Sequence, residues 1–306
     1  MARLAGLVTW IGLATSRIGL VAHELIGHGG TAIAVGGSVT DVQLFWFAGG
    51  WIRYAHVDDG AGGLAVSLGG IALEALVGAA LWFALARRQS LGGRIGRGIG
   101  AALVLHATWY LATGTWHGFG DGLQIHRALG DAKTLVAIPA ALLTLAAAYA
   151  GARWVLGALA ATVPGGTRAR IAGTVLALLV AGGVQLGLAV GEVAVRRDAT
   201  YTATMRPERD RMVSRELAQW ADERARAGAA PSDEARAEME RELARRHATF
   251  PFAIVLAVLT VLAVGLGALR ARPAPQGPIS TRLFATCALI AGGSITVVIA
   301  IDLLFH

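Results

Sequence analysis

Seven runs of predominantly apolar residues divide this chain, and each is close to or above the roughly 20 residues an α-helix needs to cross about 30 Å of hydrocarbon. They lie near Leu4–Val35, Gly62–Ala86, Ile99–Thr115, Thr134–Val163, Ile171–Val195, Phe250–Leu269 and Leu283–Leu304. Residues are 55% hydrophobic and 15% charged, against about 25% charged in a soluble domain. A soluble globular enzyme and a disordered chain are both excluded. The 41 glycines suit helices that pack closely in lipid. The sequence therefore predicts an all-α polytopic membrane protein of six to seven transmembrane helices. The over-long first run is expected to stay in the protein, since no small-residue cleavage site ends it and it holds the most chemically loaded residues.

The net charge of +7, from 27 Lys+Arg against 20 Asp+Glu, does not point to nucleic acid. Its arginines sit in short loops, where they act as topology signals. Arg87, Arg88, Arg94 and Arg97 follow the second run, Arg168 and Arg170 the fourth, and Arg270, Arg272 and Arg282 the sixth. The loops after the first and third runs carry Arg53, Arg127 and Lys133 mixed with Asp41, Asp58, Asp59 and Asp131. The positive-inside rule then places the N-terminus in the cytoplasm, and the C-terminus and residues 196–248 outside; the membrane is expected to be a bacterial cytoplasmic one. A single cysteine, Cys287, lies inside an apolar run, so no intramolecular disulfide forms.

Two insertions interrupt the helices. Val39–Val57 is rich in β-branched and aromatic residues around Gly49-Gly50, a hairpin signature with a Gly-Gly turn. Lipid tolerates no open sheet edge, so the hairpin must pack on protein, line a cavity or sit at the interface. Arg196–His247 carries 12 Arg and 11 Asp+Glu and predicts two polar helices, Glu208–Arg226 and Asp233–His247, with Ser232 as N-cap. Met212, Leu217 and Trp220 form one narrow apolar stripe. Two readings stand for this insertion, a solvated helical hairpin joining two spans and a docking module for a partner protein. The organisation is thus a membrane core over 1–130, two spans over 131–195, a polar hairpin over 196–248 and two spans over 249–306.

Ionisable groups inside a span are costly unless paired or wet, so each is a functional candidate. The densest group is His23-Glu24-Leu25-Ile26-Gly27-His28. Neutral imidazoles ligate Zn²⁺, and an adjacent carboxylate can take a proton from the water that the ion acidifies. His23 and His28 are five residues apart, which a regular α-helix places about 140° apart around its axis. A π-bulge at Gly27 would bring them to one side. A zinc site needs a third protein ligand. Asp121, flanked by Gly120 and Gly122 at the end of the third run, can approach a metal without β-carbon clashes. His117 and His126 near it, and His106 and Glu74 within spans, are candidates for supporting roles. Glu24 is the candidate general base, or else a carboxylate paired with Arg17 or Arg53. Asp302 reads as an interfacial residue, and Trp46, Phe47, Trp51 and Tyr54 as belt or packing residues.

The six-residue string resembles the His-Glu-Leu-Leu-Gly-His motif of the dipeptidyl peptidase III family, in which both histidines ligate zinc at this longer spacing. Over residues 15–128 the chain also resembles membrane metallopeptidases of site-2 protease type. The shared order is a helix with His23-Glu24…His28, the hairpin Val39–Val57, an apolar second helix, then Gly120-Asp121-Gly122. That resemblance implies zinc on His23, His28 and Asp121, Glu24 as base, and cleavage of a membrane protein or peptide substrate at the bilayer. Thr113, Trp116 and Phe119 stand where that family has Asn and two prolines, and the Arg pattern faces the site outward where better-known members face the cytoplasm. Three alternatives accompany this reading: a non-catalytic relative with a binding or regulatory role, a membrane metal oxidase, and a haem protein using His23 and His106.

Overall fold

The computed structural model describes residues 2–58, 60–271 and 278–305; the loop charges Asp59 and Arg272 lie outside the described residues. Helix α1 (Ala2–Ala34) leads into strands β1 (Ser38–Leu44) and β2 (Gly50–Ala55), then α2 (Ala61–Ala84), α3 (Leu91–His117) and short α4 (Gly122–Leu129). Helix α5 (Thr134–Gly151) continues through a π turn to Ala160. The remaining helices are α6 (Thr167–Arg196), α7 (Ala199–Thr204), α8 (Glu208–Arg226), α9 (Asp233–Arg246), α10 (Phe252–Leu269) and α11 (Thr281–Phe305).

Among the described residues six stretches are long and apolar enough to cross a bilayer: α1, α2, Gly122–Ala160, α6, α10 and α11. The third predicted run is also helical but less apolar, because α3 starts at Leu91 and takes in Arg94, Arg97 and His106. It lies antiparallel between α2 and α5. A β-carbon on Gly78 would come 2.7 Å from the Gly100 carbonyl oxygen, and Thr144 Oγ1 donates to Thr108 Oγ1 at 2.9 Å. Arg97 is buried because its guanidinium lies 4.2 Å from both the Trp82 and the Trp154 ring centroids, a cation–π arrangement. At that end Leu4, Leu7, Ile95, Leu159, Ala177 and Ile279 form one core cluster. Large side chains such as Leu179, Leu262 and Leu289 point outward, as expected of helices solvated by lipid.

At the other end the hairpin packs on protein. β1 and β2 pair antiparallel with Leu44 opposite Gly50 and Gln43 opposite Trp51. Val42 and Leu44 are buried against Val298 of α11 and Leu20 and Val21 of α1. The turn is longer than the expected Gly-Gly pair: it covers Phe45–Gly49, closed by Phe45 N–H donating to Gly49 C=O at 3.0 Å. Its backbone bonds go to side chains of other helices, which lets a five-residue loop replace a tight turn.

The polar insertion forms the two expected helices, the second ending at Arg246, and Ser232 Oγ accepts the Ala235 N–H at 3.2 Å. Its buried contacts are Val213, Ala221 and Leu243. The expected stripe is displaced by one residue, with Val213 and Ala221 buried and Met212 exposed. Trp220 carries Arg224 over its ring instead, 5.8 Å away.

Candidate metal centre

The second half of α1 is where sequence dictates local distortion. Ala22–Gly29 is a π-helix, so the whole motif, rather than Gly27 alone, is widened and underwound to i→i+5 bonding. Residues five apart then stack, and the His23 and His28 rings lie 4.7 Å apart, nearly perpendicular. Helix α2 crosses this segment at a glycine pair: a β-carbon on Gly27 would collide with Gly70 Cα. Beyond α3, the chain reverses through Gly118 at φ +69° and Gly120 at φ +51°, and this delivers Asp121 to the same point. Tyr110 fills the space beside Gly120, where a β-carbon would collide with its hydroxyl.

Asp121 Oδ2 lies 2.9 Å from His23 Nε2 and 3.2 Å from His28 Nε2. One donor atom from each of the three residues falls within 4.8 Å of the others. Zn–N and Zn–O bonds of about 2.0–2.2 Å in tetrahedral geometry separate donors by roughly 3.3–3.5 Å, close to the spacing seen. The other nitrogens are already engaged: His28 Nδ1 lies 2.6 Å from the Val66 carbonyl and His23 Nδ1 3.3 Å from Glu74 Oε2. A neutral imidazole has one N–H. With both protons on Nδ1, two Nε2 lone pairs converge on a carboxylate oxygen, an arrangement that a cation between them resolves. Gly70 keeps that point clear, since its β-carbon would sit 2.6 Å from His28 Nε2 and 2.8 Å from His23 Nε2. The donor set and the glycine cradle fit a zinc ion.

Glu74 is buried and bridges two histidines, with His106 Nδ1 2.8 Å from Oε1. In metal sites such a carboxylate–histidine arrangement orients the ligand and fixes its tautomer. His106, mostly exposed to the cavity, stacks on Tyr110 with an interplanar angle of 7°. Glu24 is buried yet makes no hydrogen bond or ion pair with a described residue. Its expected partners are engaged elsewhere: Arg17 donates to the carbonyls of Phe45, Phe47 and Ala48, and Arg53 to Asp41 and Thr200. Glu24 faces a cavity of about 1170 Å³ that runs between α1, α3, α5 and α6 from the hairpin turn to Ile95 and Leu159.

Compared with protein-family models, curated proteins and solved structures, the chain matches none. The arrangement of its own side chains carries the functional argument.

The cluster leaves out two candidates. His117 lies four residues before Asp121, but the left-handed Gly118 turns the chain away, and its Nε2 accepts the Ala253 N–H at 3.4 Å. His126, on α4, is tied to the Thr115 carbonyl at 2.9 Å. Asp302 is not interfacial: it is buried, accepting from Gln43 at 2.5 Å, Trp46 Nε1 at 2.9 Å and Arg196 at 2.9 Å. Trp51 is likewise a buried hairpin residue, packed with Phe45 and Ala48.

The insertion closes over this end. Gly120 N–H donates to Thr204 C=O at 2.9 Å, and Glu208 pairs with Arg127 at 2.9 Å and Arg215 at 3.1 Å. Tyr201 of α7 lies against Phe45, ring centroids 4.7 Å apart, and burial pushes its hydroxyl above the ordinary tyrosine range. It is a neutral hydrogen-bonding group at the cavity mouth.

Proposed function

We propose that the protein is a membrane-embedded zinc metallopeptidase that cleaves peptide bonds of membrane-associated substrates at one end of its helical bundle. The observation that carries this reading is the convergence of His23 Nε2, His28 Nε2 and Asp121 Oδ2 beside a buried, unpaired Glu24 that faces a cavity. These three side chains would hold the ion. When bound, zinc polarises a carbonyl and lowers the pKa of a water to near neutrality.

The chain's own groups do the rest. Glu24 accepts the proton of the attacking water and returns it to the leaving amine. Glu74 and the Val66 carbonyl hold the two imidazoles with Nε2 toward the ion. The hairpin offers a main-chain edge: Phe45 and Gly49 form a hydrogen-bonded pair, so Gly50, one step on, turns its N–H and C=O away from β1. A β-carbon on Gly50 would stand 3.3 Å from Glu24 Cγ, so this free edge runs beside the base. An extended substrate segment can pair with it.

Orientation belongs to the same proposal. Arg87, Arg88, Arg168 and Arg170 lie at the end of the bundle remote from the cluster, and by the positive-inside rule this supports a cytoplasmic position for that end, with Asp121 and α7–α9 outside. Against a haem site, Glu74 fills the space between His23 and His106. Against a histidine-rich oxidase, the metal-competent cluster among the described residues holds only two histidines. Glu24→Gln separates a peptidase from a non-catalytic relative: the variant should keep zinc and lose cleavage of a quenched transmembrane peptide by at least about 100-fold, the range of general acid–base catalysis. Undiminished cleavage would remove Glu24 from the chemistry.

A further inference from the structure

The turn Phe45–Ala48 is fastened by two opposite charges from two different helices. Arg17 of α1 donates to the carbonyls of Phe45 at 2.7 Å, Phe47 at 3.1 Å and Ala48 at 2.8 Å. Glu192 of α6 accepts the N–H groups of Trp46 at 2.6 Å, Phe47 at 2.6 Å and Ala48 at 3.1 Å. Six backbone groups of one turn are thus satisfied by one guanidinium and one carboxylate. Glu192 is itself held by Arg196 Nε at 2.8 Å, and Arg196 reaches on to Asp302 of α11.

We propose that Glu192 and Arg17 are positioning residues: they clamp the hairpin turn so that the Gly49–Gly50 edge stands at a fixed distance from Glu24. The proposal rests on the peptidase reading above. Leu44 and Phe45 add apolar contacts to this anchor, but such contacts are non-directional and do not orient the turn's backbone groups as the two charges do. Each charge sits on a helix that walls the cavity, and Gly49 and Gly50 line that same cavity. The edge is therefore fixed to both walls at once. Displacing a substrate by about 1 Å from its productive geometry can cost on the order of 100-fold in rate, so holding the edge matters to catalysis while leaving the metal ligands untouched.

The test uses the full chain in vesicles, with Glu192→Gln and Arg17→Lys. Both substitutions keep size and most packing; the first presents an NH₂ to the turn's N–H groups, the second removes the fork that reaches three carbonyls. Three quantities are measured: bound zinc per chain, amide exchange at Trp46–Ala48, and kcat and KM on a quenched peptide of about 20 Leu and Ala residues interrupted by Asn-Gly. The clamp predicts unchanged zinc, exchange at the turn at least about tenfold faster, and a fall in kcat larger than the rise in KM. Unchanged exchange overturns it. So does faster exchange with wild-type kcat/KM, or loss of zinc together with the turn, which would make both residues structural only. If the unaltered protein cleaves no probe, the peptidase reading fails by itself and positioning falls with it, whereas exchange still reports whether the turn is clamped.

Discussion

Gly70→Ala is the substitution whose effect follows most directly from the coordinates. The new methyl group would lie 2.6 Å from His28 Nε2 and 2.8 Å from His23 Nε2 and Cδ2, where unstrained contacts run to about 3.5 Å. The rings must therefore retreat by roughly 0.7–0.9 Å, or α2 must back away from α1. Zinc ligation tolerates only about ±0.2 Å, so the first response spoils the site. The second opens the tight Gly27–Gly70 crossing. Overpacking of this kind costs about 1–3 kcal/mol. Taken from metal binding, that is roughly a 5- to 150-fold loss of zinc affinity. Affinity is read by chelator competition in detergent at fixed pH, with helix content and thermal midpoint as checks on the fold. Gly265→Ala, where nothing lies within 4 Å, is the control and should change neither quantity. Zinc affinity in Gly70→Ala within twofold of the unaltered protein would refute the reasoning.

Two further substitutions probe the shell around the site. Glu74→Gln leaves one of the two imidazoles facing an NH₂ instead of an acceptor and should weaken zinc binding 10- to 100-fold, by the same competition assay. Asp302→Ala removes the acceptor shared by Gln43, Trp46 and Arg196 and leaves the buried Gln43 amide without a partner, while Arg196 keeps Glu192, a loss of about 1–3 kcal/mol; the unfolding midpoint in detergent should fall while zinc stoichiometry holds.

Much of the candidate metal centre is legible in the sequence because its logic is local. A carboxylate and two imidazoles inside an apolar run demand a purpose, the five-residue spacing demands a π distortion, and two glycines around Asp121 license a close approach. Glu74 and His106 are visible as buried ionisable groups, but their shared bonding is not, since 32 residues separate them and only the antiparallel register of α2 and α3 joins them. His117 misleads for a local reason: proximity along the chain says nothing once Gly118 enters the left-handed region. Least legible is the brace of the hairpin. Arg17 and Glu192 bond to main-chain atoms, which carry no residue signature, across about 30 and 145 positions. One signal was present: Glu192 is a carboxylate near the end of a long apolar helix, four residues before Arg196, and such charges call for partners. The start of the second polar helix, by contrast, follows from Ser232 as its N-cap.

X-ray absorption on purified full-length protein tests the central claim most directly. The account predicts one zinc per chain, bound by two imidazole nitrogens and one carboxylate oxygen at about 2.0–2.2 Å, with zinc lost in His28→Ala and in Asp121→Ala. A folded protein that takes up no stoichiometric zinc, or that keeps it undiminished in both variants, would contradict the account.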